Sequence, residues 1–385
     1  MSILVINSGS SSLKIKIFSD IDTPAIVHGN LEKIGEEHSA LHCQFAQNKI
    51  DKQITCADHR EGLEQFFTVL KDNNALVDIT AIGHRVVHGG EDFSQPVKID
   101  DNVIATIEKN IPLAPLHNPA NLKGIEATMY MFPDVPQVAV FDTAFHQSVP
   151  EHAYRYAVPE SFYKEQKIRS YGFHGSSHQY VSKEAARILQ KPTEQTNLIT
   201  LHLGNGASVA AIKNGKSIDT SMGMTPLEGL IMGTRCGDID PGVLLFLLQK
   251  YSHDELDKIL NKKSGLLGLC GSNDMRDIEA QNTEQSRLTI KMVVHRIQKY
   301  IGSFYAQLPE LDAVVFTAGI GENSKLIRKL CCENLAHLGI ELCDEKNNNV
   351  TCGEIQSSQS KVKILVIPTN EEMEIARQTY TLINV

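Results

Sequence analysis

At 385 residues the chain is longer than one hydrophobic core usually organises, and 42% hydrophobic with 22% charged residues describes a globular protein of two domains, not a disordered or fibrous one. A formal charge of -9 and a pI near 5.9 argue against nucleic acid or an acidic membrane surface as partners, so an anionic ligand must meet a local cluster of Arg, Lys or backbone N–H groups. Eight scattered Cys without a C-x-x-C, an opening apolar run of only Ile3 to Ile6 with the first Lys at Lys14, and a most apolar later run of only Val243 to Leu248 predict a cytoplasmic protein with no zinc framework, secretory signal or membrane span.

The opening ILVINSGSSSLKIKIF reads as strand, polar loop, strand, because Leu13, Ile15 and Ile17 alternate with Lys14 and Lys16. Its loop lacks the G-x-x-x-x-G-K-[ST] pattern and is followed by a strand, so it is not the usual P-loop. A run of Asn, Ser and Gly can still admit a phosphate to the backbone N–H groups, or be a solvated turn. The same grammar returns at LITLHLGNGASVAAIKNGKSIDT, from Leu198, which suggests an internal duplication. Between the two, GHRVVHGG, a helix from Asn118-Pro119, QVAVFDTAF and a helix at SSHQYVSKEAARIL alternate strand with helix, the mark of an α/β chain. The boundary is expected near Ala144.

Several residues stand in contexts that ordinary surface positions do not need. Arg85 lies between two His and before a Gly pair, and Arg235 lies in GTRCGDIDPG; two such forks could clamp a carboxylate and a phosphoryl group. His174 and His178 in YGFHGSSHQY have a spacing open to a metal, but H-E-x-x-H is absent. A capping box at Ser176 and Gln179 would start the helix between them, leaving His174 at its positive end. Asp142 follows the strand VAVF, as a working residue or as a cap, and His117 in PLAPLHNPA is a packed histidine or a ligand contact. VVFTAGIGENS places Gly319, Gly321 and Asn323 after a strand, where a helix start can cradle a nucleotide. In PTNEE, Thr369 and Glu372 read as a capping box, and Glu371 and Glu372 as first-turn acids or as magnesium-side groups.

Taken together, NSGSSSLK, GHRVVHGGE, PLAPLHNP, FDTAFH, YGFHGSSH, HLGNGAS, GTRCGDIDPG, DMRDIE, AGIGENS and PTNEE resemble, in order and over essentially the whole chain, the acetokinase family of the acetate and sugar kinase, Hsp70 and actin superfamily. The resemblance implies an α/β protein of two ribonuclease-H-like (actin/Hsp70-type) domains with an interdomain active-site cleft. It divides the chain into 1–144, completed by a C-terminal helix 370–385, and a nucleotide-binding domain 145–369. It implies a homodimer that transfers phosphoryl reversibly between ATP and acetate, giving acetyl phosphate and ADP, with Mg²⁺, or Mn²⁺ in its place; propionate or another short-chain acyl group is the alternative acceptor. By position, Asn7 and Glu371 fall to the metal, Asp142, His174, Arg85 and Arg235 to catalysis, and Arg85, Val87, Leu116, His117, Phe173 and Pro226 to the acyl substrate. The nucleotide falls to Lys14, His202, Leu203, Gly204, Asn205, Gly206, Asp274, Met275, Arg276, Gly319, Ile320, Gly321, Glu322 and Asn323.

Overall fold

The computed structural model describes residues 1–384, and its contacts divide the chain at Phe145/His146 and Thr369/Asn370 into two compact units. The first is Met1–Phe145 with the segment from Asn370 onward; the second is His146–Thr369. The final residue of the expected helix 370–385 lies outside the described residues; the observed helix is Glu371–Ile383.

The first unit is built on an eight-stranded sheet of β1 (Ile3–Ser8), β2 (Ser12–Phe18), β3 (Val27–Glu32), β4 (Ser39–Phe45), β5 (Asn48–Ile54), β6 (Ala81–Val86), β7 (Val97–Lys98) and β8 (Gln137–Phe141), in the order β5-β4-β3-β2-β1-β6-β8-β7. Strands β1 to β5 form an antiparallel meander, while β6 pairs parallel with β1 and β8 parallel with β6. In β2 the expected alternation holds: Leu13, Ile15 and Ile17 are buried with Leu31, Leu41 and Phe66 in one apolar cluster, with Lys14 exposed on the other side. The helices His59–Asp72 and Asn118–Met131 pack here, and Phe66 comes so close to Gly29 that a Cβ there would lie 2.5 Å from its ring.

The second unit repeats the plan with β9 (Leu198–Leu203), β10 (Ala207–Lys213), β11 (Lys216–Thr220), β12 (Ala313–Thr317), β13 (Gly353–Glu354) and β14 (Lys363–Val366), ordered β11-β10-β9-β12-β14-β13. Again an antiparallel run of three is followed by two parallel strands, so β9, β10, β11, β12 and β14 correspond to β1, β2, β3, β6 and β8. This shared core order is the ribonuclease-H-like plan, present twice. The helix Gly175–Leu189 packs on β9 and β12, and Glu284–Tyr305 on β9 and β10. On the short helix Pro241–Leu247 and just beyond it, Val243, Leu245, Phe246 and Leu248 are exposed. No helix among the described residues is long and apolar enough to cross a membrane.

Two expected caps are corrected. Asn370, not Thr369, caps the C-terminal helix, its side chain accepting from the Met373 N–H, because the Thr369 hydroxyl is engaged by Ser177 at 2.7 Å. The helix after His174 begins at Gly175, with His174 itself at the N-cap in a left-handed conformation (φ 56°), so Ser176 lies inside the first turn and no box forms there.

The C-terminal helix lies against β6, where Gly83 leaves room for it: a Cβ at Gly83 would sit 2.4 Å from Thr379 Oγ1 and 2.8 Å from Ile375 Cγ2. Gly83→Val should therefore lift this helix and its leading carboxylate from the sheet. Overpacking of this kind costs about 1–3 kcal/mol, so we expect the melting temperature of the unit to fall by several degrees; an unchanged melting curve would show that the helix is not seated through this contact.

Candidate active site

In the first unit the alternation along β6 sets the geometry. Gly83 and Arg85 share the face beneath the C-terminal helix, while His84 points the other way, its Nε2 2.8 Å from Gln137 Oε1. Asp142 follows β8, and its N–H donates to the Val86 carbonyl at the end of β6. The two strand ends thus bring Arg85 and Asp142 together: Arg85 Nε donates to Asp142 Oδ1 at 3.0 Å and Nη2 to Oδ2 at 2.7 Å. Glu371, at the first turn of the C-terminal helix, lies 3.9 Å from Arg85 Nε.

Burial works against the Arg85 charge, but Asp142 and Glu371 outweigh it and raise its pKa. Burial pushes Glu371 up; Arg85 opposes this and Asp142 adds to it. Glu372, by contrast, is held low against its burial by Lys16, 3.0 Å away. The Asp142 carboxylate occupies one edge of the Arg85 fork, and Nη1 has no hydrogen-bond partner among the described residues. Asn7, at the end of β1, and Lys14 likewise show no side-chain partner among them.

Val87, expected from the resemblance to meet the acyl substrate, and its neighbour His88 are held by two asparagines for which the sequence showed no role in the site. Asn121 Oδ1 accepts from the Val87 N–H and its Nδ2 donates to the Ser8 carbonyl, while Asn118 accepts from the His88 N–H and donates to its carbonyl. Both sit in the first turn of one helix and clamp the chain where β6 ends, so Val87 is buried just past the strand. Leu116 and His117 are exposed in the turn before that helix. His59 reaches the Gly9 carbonyl at 2.7 Å and anchors the first loop from 50 residues away.

The second unit gathers a different set. The loop Gly204-Asn205-Gly206 closes on itself through Gly204 N–H to the Gly206 carbonyl, and the Gly233 N–H donates to the Asn205 carbonyl, which draws the Arg235 segment against it. A Cβ at Gly206 would lie 2.9 Å from Arg235 Nη2 and 3.2 Å from His174 Nε2, so glycine at this point is what lets both side chains converge on the loop. Arg235 Nη1 donates to the Pro226 carbonyl at 2.6 Å, and no ion pair joins Arg235 to a carboxylate among the described residues. Burial alone pushes its pKa down. A guanidinium half-buried without a counter-ion is suited to an anion that arrives from outside the chain.

His174 stacks on His202 with ring centroids 4.2 Å apart, and Phe173, buried, presents its carbonyl to His146 Nε2 at 3.0 Å. Leu203, Gly204, Met275 and Ile320 line one narrow apolar cavity with Ile231 and Leu266, so the three segments expected to hold nucleotide meet within this unit. Asp274 caps the helix Met275–Gln281 and pairs with Arg276 at 2.6 Å on the surface, where the Arg276 hydrogen bonds hold its carboxyl down to about 2. Gly319, Gly321 and Asn323 lie on the helix Ala318–Asn323 that follows β12, and Glu322 Oε1 accepts from the Thr369 N–H.

Residues 2–377 match the sequence model described as the Acetokinase family. The chain belongs to the acetokinase family. It is 50% identical over 393 residues to the acetate kinase of Campylobacter lari and 51% identical over 395 residues to that of a Sulfurovum species, covering 100% of this chain and 99% of each relative. Among solved structures it is similar to an acetate kinase from Porphyromonas gingivalis and to a propionate kinase from Francisella tularensis, each at 44% identity, a TM-score of 0.94 and 99% coverage of both chains. Acetokinase-family membership makes the chain a phosphotransferase with a carboxyl acceptor, and its chemistry ATP-dependent kinase chemistry.

The raised Glu371 carboxyl yields a prediction whose sign is fixed. Between the ordinary carboxylate value and the raised one the native protein binds more protons than the unfolded chain, so this residue's contribution to stability is present at low pH and lost as pH rises through the raised value. Glu371→Gln should therefore melt at a higher temperature than the parent at pH 7, with the difference narrowing towards pH 4.5. Lower stability at pH 7 would show that Arg85 attraction outweighs burial at this carboxyl.

Proposed function

We propose that the chain transfers the γ-phosphoryl group of ATP reversibly to acetate, giving acetyl phosphate and ADP. The observation that carries this reading is the convergence of Arg235 Nη2 and His174 Nε2 on Gly206, with no carboxylate paired to the arginine. It is supported by 50–51% identity to acetate kinases over their full length.

The acceptor carboxylate, with an unperturbed pKa near 4, is already ionised at neutral pH, so no general base is needed and catalysis reduces to alignment and charge stabilisation. Arg85, steadied by Asp142, offers its Nη1 to the acceptor. Arg235 and His174 donate to the transferring phosphoryl oxygens, where charge is spread in the transition state. The segments of Leu203, Met275 and Ile320, which meet around one small apolar cavity, are assigned to the nucleotide, with the Gly204 to Gly206 backbone beside its phosphates. Asn7 and Glu371 offer an amide oxygen and a carboxylate, hard oxygen donors that suit a Mg²⁺ ion whose remaining positions go to water and phosphate. Such an ion, with Mn²⁺ as the alternative, would neutralise phosphate charge when bound.

Acetate is preferred over propionate in this reading because Val87, two residues beyond Arg85, is buried and its N–H is held by Asn121 Oδ1. The similarity to a propionate kinase makes acyl preference the point to test. With hydroxylamine trapping of the acyl phosphate, acetate should exceed propionate about tenfold or more in kcat/KM, since one methylene in a tight apolar pocket is worth roughly 1–3 kcal/mol. Arg85→Ala and Arg235→Ala should each lower kcat by about two orders of magnitude. Preference for propionate would move the assignment to another acyl kinase; normal turnover in both variants would remove the arginines from the reaction.

The functional assembly is proposed to be a homodimer. The exposed Leu245, Phe246 and Leu248 make an apolar patch of the kind that a second copy covers. Light scattering after size exclusion should give twice the 42.6 kDa chain mass, and Leu245→Glu with Phe246→Glu should shift it to the monomer. A monomeric parent would refute this.

A further inference from the structure

His178, four residues after His174, was set aside as a metal ligand, and the structure gives it another partner. Thr200 and His202 point to one face of β9, Ser208 lies opposite His202 on β10, and the helix Gly175–Leu189 covers that face. His178 Nδ1 is 2.7 Å from Thr200 Oγ1, His178 Nε2 is 2.8 Å from Ser208 Oγ, and Ser208 Oγ is 2.9 Å from His174 Nδ1. Thr200, His178 and Ser208 are each 0% exposed. Bulk solvent does not reach these groups, so their hydrogens are directed to partners within the chain.

The direction follows from its far end. The Thr200 hydroxyl has His178 Nδ1 as its one hydrogen-bond partner among the described residues, so it donates there, because a buried hydroxyl hydrogen without an acceptor is costly. Burial, with His146 and His202 as neighbours, keeps His178 neutral. Its one N–H is then on Nε2 and donates to Ser208 Oγ. The Ser208 hydroxyl hydrogen is left for His174 Nδ1, and an imidazole that accepts at Nδ1 carries its proton on Nε2.

We propose that Thr200, His178 and Ser208 form a directed hydrogen-bond chain that fixes His174 as the Nε2–H tautomer, making them positioning residues for the donor that meets the phosphoryl group. The role of the chain rests on the function proposed above; its direction does not. The opposite tautomer would present a bare nitrogen lone pair beside Arg235, repelling the phosphoryl oxygens. No proton changes hands in the chain, which sets orientation only. Because a second proton on His174 Nδ1 would collide with the Ser208 hydrogen, the chain also favours a neutral donor over an imidazolium.

Nitrogen-15 NMR of the full chain labelled at histidine, with the His174 signals assigned by their loss in His174→Gln, reads the tautomer in the ligand-free protein. A protonated Nε2 and an unprotonated Nδ1 are expected. Thr200→Val, nearly isosteric and three hydrogen bonds from His174, should give a mixture of tautomers and lower kcat about tenfold, with KM for ATP and acetate within twofold; Thr200→Ser should restore both readouts. A protonated Nδ1 in the parent, or an unaltered tautomer in Thr200→Val, would overturn the proposal. If the NMR agrees but the parent forms no acyl phosphate from any short-chain acid, the hydrogen-bond chain stands and the functional reading falls.

Discussion

A positive charge held without a partner is the constraint around which the second unit is arranged. Arg235 could have been neutralised by a neighbouring carboxylate, as Arg85 is by Asp142; instead its side chain donates to the Pro226 carbonyl. Such a group destabilises the empty protein, because desolvation is not returned by Coulomb attraction. It is tolerated only where the surrounding backbone is fixed independently, here by the Gly204 turn and the Gly233 to Asn205 bond. The two arginines thus divide the work: one is rigid and half-occupied, the other poised and uncompensated.

Much of this was readable in the sequence because it is local. Alternation in β2, the strand limits of β9 and the helix from Asn118 depend on neighbours within a few residues, and the recurrence of the glycine-rich hairpin anticipated the shared sheet order. The run VAVF also placed Asp142 just past the end of a strand, which is where it stands after β8, but its pairing with Arg85 on β6 came only with the sheet. What escaped was decided by partners far along the chain. Thr369 carries the local signature of a cap, yet Ser177, 192 residues away, takes its hydroxyl. His178 has no visible role until β10 supplies Ser208, and Asn121 is an ordinary helix residue until Val87 and Ser8 converge on it.

Glycine serves the site in two different ways. At Gly206 the missing side chain leaves room for two charged or polar groups to approach the loop; at Gly83 it leaves room for a whole helix. The first sets chemistry and the second sets the position of a carboxylate, but both depend on close approach, since neither glycine needs a left-handed backbone. Sequence alone marks them only as glycines.

The interruption of the first unit by the second bears on biosynthesis. Its sheet can form early on the ribosome, but the helix that covers β6 belongs to the segment after Asn370 and emerges only when the whole second unit has been made. At about 5–20 residues per second that delay is on the order of ten seconds or more. Meanwhile Arg85 has Asp142 but not Glu371, and the apolar face of β6 around Gly83 is open. The nascent first unit is therefore the stage at which a chaperone has something to hold, and a ribosome stalled before Asn370 leaves a half-covered sheet that cannot be completed.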